Sequence, residues 1–382
     1  MHPQGAKPWH IRHMTNGKTG GGTGTTTDIH GVTHIKGTAK QQPAPAPLVG
    51  GAPDLLAQFA PVESAPHAEG FRVHEPVWTG IATQVGDYPG SVEEARRLAG
   101  HNWEPEETVL FTPGPDGSLQ PVPGSKAIRR NDTHEILGVC NNSRESIGIG
   151  DMYELVENLV DQPDVRWEAG GVLGGGRQAW VMCKLDTPIK IPGDAGRVYP
   201  HLTVVNRLVG PGACSLEWTA MRDTNSTTLS LNEIDSHTPP LRYQLRHTKN
   251  WRTRAEQISE AVMGVKQQSA AWQQAADYLA AQHITPEQRR TYLARFIPMP
   301  PEGMISDQVK ENVLEARGQI ERILNSRSCE GIDKTAWGLV QASAEYLDHV
   351  RFYRSAESRF KRCLLRPEPL KRKAVQIVRD II

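Results

Sequence analysis

The sequence predicts an α+β protein. An antiparallel β-sheet core with a β-hairpin is followed by a helical C-terminal half, and a disordered N-terminal arm precedes both. Three observations carry this expectation. Residues 1–69 are rich in Gly, Thr and Pro, as in TNGKTGGGTGTTTDIHG and KQQPAPAPLVGGAP, with almost no apolar periodicity. Such a segment buries too little surface to offset its ordering entropy and reads as a low-complexity flexible arm. Across 70–250, strand-like runs follow one another through short polar connections. That order favours a mainly antiparallel sheet domain, because a doubly wound sheet would place a helix after each strand. At Trp251 the apolar period changes from two to about 3.6, so 251–382 is predicted as a helical region packing on the sheet.

The elements follow in order. FRVHEPVW, from Phe71, is a short alternating run. SVEEARRLAG is a short helix, with Ser91 as N-cap, Glu94 in capping-box position and Gly100 just past the end. TVLFT (108–112), KAIRR (126–130) and EILGVC (135–140) are strand-like. DMYELVENLVDQ places Met152, Leu155, Val156, Leu159 and Val160 at helical spacing. VRWEAGGVLGGGRQAWVMCKL reads as a hairpin whose glycines at 174–176 tolerate the positive φ of a tight turn. YPHLTVVNRL, CSLEWTAMR and LRYQLRHT are further strands. Trp251, Ala255, Ile258, Val262, Val265, Trp272, Ala276 and Leu279 then trace one face of a long helix. Thr285-Pro286-Glu287-Gln288 opens another, and helices are predicted around 307–325, 334–350 and 370–381.

The motifs of common chemistries are incomplete. Asn16-Gly17-Lys18-Thr19 lacks the leading glycine of a phosphate-binding loop, since position 12 is Arg. His30 and His34 have metal-ligand spacing for a helix, in a Gly- and Thr-rich context that disfavours one. His134-Glu135 begins like a zinc-protease motif, but position 138 is Gly. No G-x-S-x-G elbow occurs, and His67-Ala68-Glu69 has no P-C-x-x-C to complete a deaminase site. The five cysteines are scattered and include no C-x-x-C, a pattern of reduced thiols. No catalytic residue, metal site or cofactor is therefore predicted. With no apolar run of about 18 residues and no apolar secretory core at the N-terminus, the expectation is a cytoplasmic protein of a bacterial host without a membrane partner.

Charge is the remaining signal. The chain holds 43 basic and 43 acidic side chains, yet RYQLRHTKNWRTR (242–254) gathers five Arg or Lys and no acid. In LRYQLRH, Leu241, Tyr243 and Leu245 alternate with Arg242, Gln244 and Arg246, which puts the arginines on the face opposite the core. Lys249, Arg252 and Arg254 continue into a helix N-terminus, where cations oppose the helix dipole and suit an anionic partner. Arg129 and Arg130 are weaker candidates for the same role. Tyr243 or Trp251 would offer a stacking surface if exposed. A further ten Arg or Lys lie between Arg351 and Asp380, and an acidic excess lies between 133 and 168.

The order of these segments resembles a known family. VWTGIATQVGDYPGSVEEARRLAGHNWEPEETVLFT, HEILGVCNNS, GGGRQAWVMCKLD, LRYQLRHTKNWRTRAEQISEAVMG and TAWGLVQASAEYLDHVR look like successive blocks of the phage/plasmid-like protein family, catalogued as a domain of unknown function, number nine-three-two. The resemblance spans about residues 76–382 and carries no established catalytic residue. It implies a phage, prophage or mobile-element setting. The coarse order of helix, hairpin, antiparallel strands and helix is similar to the core of Rad-fifty-two-like annealing proteins. The expected function is thus a non-enzymatic, homo-oligomeric protein binding single-stranded nucleic acid in recombination or replication. Its phosphate contacts would be Arg242, Arg246, Lys249, Arg252 and Arg254, with Arg129 and Arg130. The competing expectation is a ring-forming structural or assembly protein, since separate acidic and basic regions suit subunit contacts equally well.

Overall fold

The computed structural model describes residues 25–27, 33–35, 70–74, 81–230, 242–263, 265–301, 306–365 and 369–382. Most of the N-terminal arm, including Asn16–Thr19 and His67–Glu69, lies outside the described residues, as do 75–78 of the FRVHEPVW run and Leu241. The chain divides into two compact units, Met1–Ser64 and Ala65–Ile382. In the first, β1 (Thr25–Thr27) pairs antiparallel with β2 (Thr33–Ile35), which contains His34.

The second unit begins with β3 (Gly70–Arg72) and β4 (Thr83–Gln84), a parallel pair. Helix α1 (Val92–Leu98) starts where the sequence places it: Ser91 Oγ accepts from the Glu94 amide at 3.2 Å. The Glu94 carboxylate reaches one residue further back than a capping box predicts, to the Gly90 amide at 2.8 Å. Strands β5 (Pro105–Pro113), β6 (Leu119–Arg130) and β7 (Ile136–Asn141) form a separate three-stranded antiparallel sheet. Helix α2 (Ile149–Val160) follows. Then come β8 (Val165–Leu173), β9 (Gln178–Leu185), β10 (Ile189–Lys190), β11 (Arg197–Arg207), β12 (Ala213–Arg222), β13 (Thr228–Ser230) and β14 (Arg242–Arg246). The β8–β9 turn holds Gly174, Gly175 and Gly176 at φ of 63°, 64° and 80°, which is why three glycines stand there.

The large sheet runs β13-β12-β11-β9-β8-β3-β4, with β10 on β11 and β14 on β12. Its register sorts side chains between two faces. Cys183, Leu202, Val204, Leu216, Trp218 and Leu245 enter the main core beside Met152, Val156 and Leu159 of α2. Trp180, Met182 and Val205 point the other way and are covered by Phe360, Cys363 and Leu364. Burying each such side chain stabilises the fold by roughly 1.5–3 kcal/mol.

The helical half departs from expectation in two places. The predicted long helix is two, α3 (Trp251–Met263) and α4 (Val265–Ala281); position 264, a helix-weakening glycine, lies outside the described residues, as do the side chains of Val262 and Val265. Trp251, Ala255, Trp272, Ala276 and Leu279 are buried as the periodicity requires. In α5 (Pro286–Phe296) the Thr285 capping box forms in full, with Gln288 accepting from the Thr285 amide at 2.9 Å. Helices α6 (Asp307–Leu324), α7 (Ala336–Glu345, extended by a π-turn over Tyr346–Val350), α8 (Ala356–Phe360, extended over Lys361–Leu365) and α9 (Pro369–Ile381) complete the chain. Helix α8 was not expected. No helix among the described residues is long and apolar enough to cross a membrane.

Two buried ion pairs tie helices to the sheet. Lys371 of α9, 3% exposed, donates to Asp348 and to Thr228 of β13, with a nitrogen–oxygen distance to Asp348 of 2.7 Å. Arg222, at the end of β12, pairs with the Asp194 carboxylate, which also accepts from Trp337 Nε1 of α7 at 2.9 Å.

Candidate nucleic-acid interface

Strand β14 lies against the first half of β12, with Arg246 opposite Ala213, Gln244 opposite Ser215 and Arg242 opposite Glu217. Leu245 is fully buried, and Gln244 and Arg246 are exposed on the opposite face, as the alternation requires. Strand β11 continues the row from the other side of β12. It pairs Val205 with Ser215 and Thr203 with Glu217, so Arg207 arrives on the same face at its end.

These strands enclose a cleft of about 570 Å³. Arg144, Arg207, Arg242 and Arg246 line it with Ser215, Gln244 and the Gly210–Gly212 turn, and no carboxylate is among the lining residues. Arg144 enters from the loop before α2. Its Nη2 donates to the Arg207 carbonyl at 2.6 Å, and its Nη1 donates to the Gly210 carbonyl at 3.2 Å, which pins the β11–β12 turn. A Cβ at Gly212 would fall 2.3 Å from Arg207 Cδ, so glycine is needed for Arg207 to lie across this turn.

Behind the cleft, Glu217 is 5% exposed and sits 3.6 Å from Arg242 Nε. Burial pushes its carboxyl up to about 7, against the pull of the Arg242 charge. His247 is likewise buried, its Nδ1 accepting from the Ile147 amide at 3.1 Å; burial holds it down to about 4, so it is neutral at pH 7.

The other basic residues of the sequence are dispersed. Lys249 and Arg254 are exposed outside the cleft. Arg252 lies 4.5 Å over the Trp251 ring and 3.4 Å from Asp151. Arg129 pairs with Glu106 at 3.0 Å. Arg130 binds Asp132 through two nitrogens and lies 4.3 Å over Trp103, on the smaller sheet. Trp251 is 7% exposed and Tyr243 packs against the core, so neither offers a stacking surface. The two arginines that sequence reasoning missed, Arg144 and Arg207, carry no local pattern. Only the β11–β12–β14 register brings them to Arg242 and Arg246.

Among the described residues no group of three His, Cys, Asp or Glu side chains could hold a metal ion. No curated protein and no solved structure matches the chain. A family model, "Domain of unknown function (DUF932)", matches residues 137–364, which run from β7 to the end of the α8 extension and include every residue of the cleft. The chain belongs to the DUF932 family.

Proposed function

We propose that the protein binds single-stranded nucleic acid through its phosphates, as a component of phage or mobile-element recombination or replication, with strand annealing the activity that best suits such binding. The observation that carries this reading is the convergence of Arg144, Arg207, Arg242 and Arg246 on one cleft without a carboxylate in its lining. Guanidinium groups hold phosphate oxygens bidentately and keep their charge at any accessible pH. With no aromatic platform in the cleft, contact to the backbone dominates, and binding is indifferent to base sequence.

The test is a titration with unrelated oligonucleotides at several salt concentrations. Log affinity falls linearly with log salt, by about 0.7 for each phosphate neutralised on a single strand. Replacing Arg207 and Arg246 together by Gln makes the slope shallower by about 1.4, equally for each oligonucleotide. An unchanged slope in a folded variant overturns the reading.

One observation favours the assembly alternative. The β5–β6 hairpin exposes Val109, Phe111 and Leu119 at 58%, 52% and 66%. Clustered exposed apolar residues mark contact surfaces. If Phe111→Ser and Leu119→Ser dissolve an oligomer while the arginine variants leave all behaviour unchanged, the assembly reading replaces the first.

A further inference from the structure

The face of the sheet that bears the arginine cleft carries a second cavity, near the far end of β12. Met221 shares this face with Ser215, and the six residue steps from one to the other span about 20 Å of strand. The cavity is about 650 Å³, within the range of roughly 300–1,000 Å³ of small-molecule sites. Its walls bring together His74, Glu168, Lys184, His201 and Arg359.

Chain topology explains the gathering. A bulge in β8 between Trp167 and Ala169 releases Glu168 from the strict alternation of its strand. The Glu168 side chain is 7% exposed, and its Oε1 accepts from the His74 amide at 3.1 Å and lies 2.9 Å from His74 Nδ1. Its Oε2 is buried with no partner among the described residues. His201 Nδ1 lies 2.9 Å from the Tyr199 carbonyl. A carbonyl only accepts, so Nδ1 carries the proton and the neutral ring has its lone pair on Nε2. Lys184, opposite His201 in the β9–β11 register, holds its ammonium 4.2 Å from the Tyr199 ring centroid and 3.3 Å from the Tyr88 hydroxyl. Arg359 reaches the cavity from α8, the helix that covers the middle of this face.

We propose that this cavity is a binding site for a small phosphate ester that also carries hydroxyl groups, such as a sugar phosphate or a mononucleotide. Glu168 Oε2 and His201 Nε2 are acceptors and require donors, which hydroxyls supply. Lys184 and Arg359 are charged donors that a phosphate joins, with Asp186 already 3.4 Å from the Lys184 ammonium. A buried carboxylate oxygen without a partner is costly, so a ligand hydroxyl placed there is bound strongly for one contact. Burial pulls the Glu168 carboxyl up, and the His74 hydrogen bonds together with the electrostatic pull of His201 and His74 more than offset it, so the acceptor is an anion at neutral pH. Burial holds His201 down to about 4, which keeps its Nε2 lone pair available in the same range. The site is separate from the arginine cleft and does not depend on nucleic-acid binding.

Calorimetric titration with ribose 5-phosphate and AMP tests this, with ribose and inorganic phosphate as controls at constant ionic strength. At least one ester binds saturably, and more tightly than either ribose or phosphate. Glu168→Gln keeps a carbonyl acceptor for His74 but removes the negative charge and turns the Oε2 position into a donor, and Arg359→Gln removes a cation from a partly exposed position. Each weakens the ester about tenfold or more, as expected for a charge-assisted hydrogen bond. If Glu168→Gln fails to fold, Arg359→Gln decides. The variant with Arg207 and Arg246 replaced binds the ester normally. No saturable binding of either ester at millimolar concentration, equal binding of free phosphate, or wild-type affinity in Arg359→Gln each overturns the proposal.

Discussion

Replacing Glu217 by Gln stabilises the protein at alkaline pH and leaves it nearly unchanged at acid pH. The side chain is buried on β12, and burial raises its carboxyl from 4.5 to about 7 with Arg242 3.6 Å away. A carboxyl raised in the folded state holds its proton there after the unfolded chain has lost it. Folding is then favoured most below pH 4.5, and stability declines as pH rises from 4.5 to about 7. At about 1.36 kcal/mol per pH unit, the loss above that window reaches about 3 kcal/mol. Gln matches the protonated acid in shape and never ionises, so the gap between variant and wild type opens across this window. Buried histidines such as His101, held down to about 4, titrate in both proteins and cancel in the difference. Urea melts from pH 5 to 8 measure the gap directly. Parallel curves, or a variant less stable at pH 8, refute the placement of an acid in a dry site.

The same pair links protonation to the proposed binding. A phosphate that draws Arg242 away removes the charge opposing protonation of Glu217, so binding takes up a proton and strengthens as pH falls through about 7. In Glu217→Gln this dependence vanishes while the salt slope remains.

Two other predictions concern the frame. Lys371→Met leaves Asp348 buried without its cation and destabilises by about 3–5 kcal/mol, and adding Asp348→Leu recovers much of the loss, read by thermal melts. Gly212→Ala forces Arg207 off the β11–β12 turn, because the new Cβ would sit 2.3 Å from Arg207 Cδ. Oligonucleotide affinity drops, and the melting temperature falls as well, because the new Cβ would also lie 2.8 Å from Arg207 Cβ and the turn itself must shift.

What could be read from the chain alone follows the range of the interaction. The Ser91 and Thr285 caps, the glycine turn at 174–176 and the alternation of β14 are all written within a few residues, and each stands in the structure. Helix α8 was hidden by its surroundings: Phe360, Cys363 and Leu364 have helical spacing but sit inside a run of Arg and Lys that reads as solvated charge. Lys371 shows why such a run misleads, since one of its cations is buried against residues 23 and 143 positions away. The segregation of acids at 133–168 from bases at 242–254 is partly resolved by pairing, as Arg252 meets Asp151. Arg242 and Arg246 were legible, but Arg144 and Arg207 required strand pairing across long sequence separations.

The odd-numbered residues of β12 explain why both candidate sites lie on one face. Ala213, Ser215, Glu217, Thr219 and Met221 all point away from the main core, and three of the five are polar. A sheet face needs an apolar stripe only where something packs on it. On this face the stripe runs through Ala169, Trp180, Met182 and Val205, and α8 packs there with Phe360 and Leu364. To one side the register supplies Arg207, Arg242 and Arg246, and to the other Lys184, His201 and Tyr199, none of which an apolar helix could cover without stranding their charges or hydrogen bonds. The polar composition of β12 is therefore poor core material by itself. It becomes intelligible as the bridge between an anion cleft and an acid–base cavity, with α8 able to cover only the ground between them.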